Sequence, residues 1–174
     1  MGKLRSFCIA ALLGIGSITA PICAFAQRST FNDSLRQELL RMNVRSTELR
    51  NMLDSVRINF GEKSSENKKL WAEINSCDSV NTHSLRSIVN EHGWPGVSLV
   101  GKDGSRAAFL ILQHSDKDTG IQMQMLPLLK NAAESNETEW QYFAFLTDRF
   151  LVFKQGKNQI YGTQLKFNSQ GLAE

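Results

Sequence analysis

The apolar run AAFLILQH ends in two residues able to do chemistry, Gln113 and His114. An imidazole titrates near neutrality and can act as base, acid or ligand. At a buried helix end it can equally be one member of a satisfied hydrogen-bond network. A second concentration lies in TDRFLVFKQGKNQIYGTQ, Thr147 to Gln164, which carries Asp148, Arg149, Gln159, Tyr161, Thr163 and Gln164. Arg149 can clamp a carboxylate or phosphate through paired N–H groups, or satisfy carbonyls at a helix end. With His114 as general base, Asp148 orienting its other ring nitrogen and Arg149 facing developing negative charge, the set describes a hydrolytic site using water as nucleophile. The chain offers no committed nucleophile beside them, so the amides and hydroxyls of Gln113, Gln159, Tyr161, Thr163 and Gln164 suit recognition better than bond cleavage. A third reading makes the same groups internal, pinning the C-terminal segment to the body of the protein.

Helices must position these groups. Leu35, Leu39, Met42, Leu49, Met52, Leu53, Val56 and Phe60 recur in steps of three, four and seven, which predicts one long amphipathic helix within residues 27–65. Ser34 with Gln37 reads as its capping box and Gly61 as its stop. Leu70, Trp71, Ile74 and Cys77 begin a second stripe that CDSVNTH interrupts or re-caps before Leu85, Ile88 and Val89, with Gly93 and Pro95 ending it. HGWPGVSLVGKDG then reads as an ordered loop, with Trp94 available as an anchor. Ala107 to Leu112 reads as a buried helix, with a buried strand the alternative for so short a run, and a helix from Thr119 to about Ala133 follows, capped by Asp116 or Asp118 and carrying Pro127. A further helix is expected from about Glu139 to Leu146.

Beyond it the period changes. Phe150 to Phe153, the Gly156 turn and QIYGTQLKF read as a two-stranded β-hairpin, with Gly162 marking a bulge or a close approach. The expected fold is therefore mainly α (α+β): a helical domain over residues 66–174 with a C-terminal β-hairpin, forming one globular unit with the long N-terminal helix.

The first residues bound the setting. Lys3 and Arg5 precede an apolar run to Ile22, and Ala24-Phe25-Ala26 precedes Gln27, the pattern of a secretory signal peptide (residues 1–26) cut after Ala26. The run is too short and too interrupted by glycine for a comfortable membrane span, so a secreted or periplasmic protein with no span after cleavage is expected, an uncleaved anchor being the lesser alternative. Lys3 and Arg5 account for two of the three excess positive charges, leaving +1 on the rest of the chain. That balance does not favour nucleic acid. Cys8 and Cys23 fall within the leader, so Cys77 has no internal disulfide partner in the remainder and reads as a small apolar residue or as half of an intermolecular bridge. DKDTG lacks the fifth and twelfth ligands of a calcium loop, and His83, His92 and His114 lack zinc spacing; no metal and no cofactor is expected.

In series, Asp78-x-x-Asn81, EHGWPGVSLVG, AAFLILQHSDKD, the run Leu126-Pro127-Leu128-Leu129, LTDR and YGTQ resemble the bacterial family catalogued as domain of unknown function 6624, over Trp71 to about Gln164. Asp54 and Arg57 are a plausible counterpart of an acidic and basic pair in the family's first helix. Members often continue past YGTQ with a proline-containing basic segment, whereas LKFNSQGLAE follows from Leu165 here. The resemblance carries over Trp94, Gln113, His114, Asp148, Arg149, Gln159, Tyr161, Thr163 and Gln164 as residues of interest, without a catalytic role. The expected function is an exported module that binds a small polar ligand or a protein partner. The alternative is a hydrolase built on His114, Asp148 and Arg149.

Overall fold

The structure, a computed structural model, describes residues 31–165. The expected leader, residues 1–26, lies outside the described residues. Among the described residues five helices follow one another: α1 Asp33–Phe60, α2 Ser65–His92, α3 Val97–Gln113, α4 Thr119–Glu134 and α5 Trp140–Gln155. One hydrophobic cluster draws on all five, from Leu35 and Leu39 of α1 through Leu85 of α2, Val100 and Leu112 of α3, Ile121 and Met125 of α4, to Phe143 and Leu146 of α5. Complete burial of an aliphatic side chain such as Leu39 contributes about 1.5–3 kcal/mol, so this cluster is the main source of stability. A smaller cluster of Leu49, Leu70 and Ile74 closes the outer half of the α1–α2 pair, and the free thiol of Cys77 packs beside it.

Local signals explain where the helices begin and end. Asn32, rather than Ser34, caps α1, its side chain accepting from the Leu35 N–H at 3.0 Å. Gly61 and Gly93 stop α1 and α2 as expected. α2 is not interrupted at CDSVNTH, because its polar groups bond sideways instead of capping. Asp78 pairs with Arg50 of α1, Asn81 donates to the Met42 carbonyl, and Thr82 shares a hydrogen bond with Ser115.

The glycine-rich stretch after Trp94 is helical from Val97, with a bend at Gly101. The α3 N-terminus has no side-chain cap of its own; Glu137 supplies the missing acceptors, its carbonyl taking the Val97 N–H and its carboxylate the Ser98 N–H.

The expected C-terminal β-hairpin is absent: among the described residues there is no strand. Phe150 to Phe153 continue α5, which runs to Gln155 and stops at Gly156 in the left-handed region. A short wholly apolar run suits a buried strand and a helix equally, and two features decide between them. Phe143 and Leu146 face the core at helical spacing, and the Thr147 hydroxyl donates back to the Phe143 carbonyl at 2.8 Å, one turn earlier. In addition, the residues meant to form the second strand spend their backbone donors on a side chain rather than on a ladder, as described below. Gly162 has φ +72°, and among the described residues nothing lies within 4 Å of where a Cβ would sit, so it serves a turn and not a close approach to them.

Gly101, at φ 74° and ψ 171°, occupies a region that essentially only glycine adopts. Gly101→Ala should therefore destabilise the fold by about 1–3 kcal/mol in urea denaturation. An unchanged midpoint would show that the backbone is not held there.

Candidate functional site

α2 carries two stripes. Leu70, Ile74 and Leu85 face the hydrophobic clusters, while Trp71, Asn75, Asp78, Thr82 and Arg86, spaced by three or four residues, line a cleft of about 610 Å³. Arg50 of α1, the α3–α4 connection from His114 to Asp118, and Arg149 of α5 complete the walls. The connection is held in place by buried polar bonds. Ser115 meets Thr82 at 2.8 Å and its own Ile111 carbonyl at 3.0 Å, and the buried Gln122 amide donates to the Leu112 carbonyl at 3.2 Å.

Three aspartate–arginine pairs stand around the cleft. Arg50 donates to Asp78 at 2.7 Å, and Arg86 to Asp118 at 2.8 Å. Arg149 grips both oxygens of Asp116 through Nε and Nη2, while its guanidinium lies 5.5 Å from the centre of the Phe153 ring and Lys154 donates to the Asp116 carbonyl. Burial alone would raise the Asp116 carboxyl, but the bond and charge of Arg149 outweigh it and hold the group below its ordinary value. His114 sits among these pairs and is pushed down to about 4, first by burial and then by Arg50. Its imidazole is therefore uncharged at neutral pH and, among the described residues, makes no side-chain hydrogen bond.

Asp148, one residue before Arg149, faces elsewhere. It is fully buried, and its carboxylate accepts from the backbone N–H groups of Ile160 (2.7 Å), Tyr161 (3.0 Å) and Thr163 (2.9 Å) and from the Thr163 hydroxyl (2.9 Å). Burial would raise this carboxyl, but the donors from Tyr161, Thr163 and Ile160 prevail and keep it low. The other polar groups of YGTQ complete the same knot. Gln164 N–H donates to Gln159 Oε1, Gln159 Nε2 to the Gln164 carbonyl, and Gln164 Nε2 to the Phe145 carbonyl. The Tyr161 ring is half exposed and meets Phe143 edge to face at 6.0 Å.

A family model matches residues 33–173. The chain belongs to the family of unknown function DUF6624. No curated protein and no solved structure matches it. In this DUF6624 chain the QH and DR motifs bring His114 and Arg149 to one cleft, whereas Asp148, Gln159, Thr163 and Gln164 form the terminal knot. Gln113 lends its carbonyl to Gln122. Trp94 packs on the main core, and its buried Nε1 has no partner among the described residues. Sequence reasoning missed Arg50, Trp71, Arg86 and Asp116 as cleft residues, although the spacing Trp71, Asn75, Asp78, Thr82, Arg86 was visible as a polar stripe on a helix.

Two outcomes follow from this electrostatic arrangement. An unfolded histidine titrates near 6.5 and His114 at about 4, so between those values the unfolded chain binds a proton that the native state refuses. Stability contributed by the neutral His114 is thus complete above about pH 6.5 and falls by up to roughly 3 kcal/mol as pH drops toward 4. Chemical denaturation across that window should show the slope in the wild type and a flatter profile in His114→Gln. Asp148→Ala should free the segment after Gly156 to proteolysis while the helical circular dichroism persists. The loss is held to about 1.5–3 kcal/mol because the released donors regain water.

Proposed function

We propose that this domain binds a small polar ligand in the cleft between α2, the α3–α4 connection and α5. The observation that carries the reading is the convergence of a desolvated neutral imidazole, His114, with three arginines in one concave space that also offers an exposed indole, Trp71. Perturbed titrating groups gathered in a cleft are a recurrent mark of functional sites. The basic and apolar leader pattern supports placing the domain outside the cytoplasm, as an exported protein. No described helix is long and apolar enough to cross a membrane.

A hydrolytic reading rests on the same imidazole, which is unprotonated at neutral pH and so able to accept a proton. Its low affinity for that proton makes it a weak base in the unliganded protein, and Asp148, committed to residues 160–163, is replaced by Asp116 and Asp78 as the carboxylates acting on it. Recognition is therefore the better-supported function.

The test is a thermal-shift screen of small polar compounds against wild type, Trp71→Ala and His114→Gln. A true ligand at one hundred times its dissociation constant should stabilise the wild type by about 2.7 kcal/mol and each variant by less. Equal stabilisation of all three proteins by every hit would place binding elsewhere and refute the reading.

A further inference from the structure

Hydrogen-bonding capacity in the cleft is unevenly spent. Each aspartate oxygen there already accepts: Asp78 from Ser46 and Arg50, Asp116 from Arg149 at both oxygens, and Asp118 from the Ile121 N–H and Arg86. The guanidinia, with five N–H donors apiece, are not exhausted. Among the described residues Arg86 donates only through Nη2, and its Nε is buried with no partner. Arg149 uses Nε and Nη2, leaving Nη1. Lys117 also lines the cleft. Formal charge points the same way, because three arginines and Lys117 face three aspartates while His114 is neutral.

An acceptor-rich ligand is what such a surface lacks. We propose, building on the ligand-binding reading above, that the ligand is an oxyanion, a carboxylate or phosphate ester, seated by the unspent donors of Arg86 and Arg149 beside His114, with its remaining body against Trp71. A guanidinium suits either group, since both present paired oxygens to its planar N–H edge. The Arg86 side chain is two-fifths exposed, so its Nη1 donors, which take no acceptor among the described residues, are open to an anionic oxygen entering the cleft.

Proton uptake follows from the same geometry. His114 is faced by Arg50 from α1, Asp78 from α2, Arg149 from α5 and Asp116 from its own connection, with His83, Arg86, Lys117 and Asp118 lining the same space. An anion among these groups offsets the arginine charges that oppose the imidazolium, so binding favours protonation and lower pH strengthens binding.

Calorimetric titration with four probes of like size separates the possibilities: benzoate, phenyl phosphate, benzamidine and benzyl alcohol. Benzoate or phenyl phosphate should bind the wild type, with about tenfold weaker affinity in Arg86→Gln and no comparable loss in Lys130→Gln, a charge removed outside the cleft. The tighter of the two anions assigns the ligand to carboxylates or to phosphate esters. Benzoate affinity should rise about tenfold from pH 7 to pH 5, and this rise should vanish in His114→Gln, whose fold is checked by circular dichroism. Binding of benzamidine or benzyl alcohol alone, abolished by Trp71→Ala, would overturn the oxyanion while leaving the cleft a ligand site. Silence from all four probes would overturn both.

Discussion

Successive residues on a helix point about 100° apart, and Asp148 and Arg149 depend on that angle. Because α5 continues through residue 155, Asp148 turns toward residues 160–163 and Arg149 toward the α3–α4 connection. Had the chain become extended at Phe150, the guanidinium would lose its stacking on Phe153, which sits one helical turn later on the same face. A single stretch of helix thus fastens the C-terminal segment with one side chain and closes the cleft with the next.

The ion pairs around the cleft do not explain the stability of the fold. Arg86 and Asp118 are each more than two-fifths exposed, and such pairs contribute little. Arg50 and Asp78 are more enclosed, so their attraction is largely offset by the loss of hydration. What these pairs do is orient. The bidentate grip of Asp116 fixes the plane of Arg149, and the Arg50–Asp78 bond ties the polar stripe of α2 to α1. Stability comes from the apolar cluster beneath, where Leu39, Leu112 and Leu129 are wholly buried.

Much of the helical body was legible in the sequence, because periodicity reports burial directly: the stripes of α1 and α2, the all-apolar Ala107–Leu112 half of α3, and the stops at Gly61 and Gly93 need only a repeat and a terminator, whereas the first half of α3 was read as a loop because its glycines mask the helix. The terminal segment was illegible for a specific reason. Phe150 to Phe153 have no period, and the partner satisfying the backbone of residues 160–163 is a carboxylate twelve to fifteen residues away, which no local pattern encodes. The site was half legible. His114 and Arg149 were recognisable by type, and the structure places them on one cleft. Pairing His114 with Asp148 failed as geometry because side chains adjacent on a helix diverge. Trp71 was assigned to the apolar stripe, yet it stands 43 % exposed one position beyond that stripe, at the head of the polar one.

The neutrality of His114 and the surplus of donors around it have one origin. Each aspartate of the cleft is matched to an arginine, and Lys117 then leaves the walls with more positive than negative charge. In a space from which water is partly excluded, a further proton on the imidazole would meet Arg50 and Arg149 without a carboxylate of its own, because Asp78 and Asp116 are already engaged. The same engagement leaves Arg86 and Arg149 with N–H groups that no acceptor among the described residues takes. An imidazole unable to hold its proton and a guanidinium unable to place its donors are two expressions of one missing negative charge.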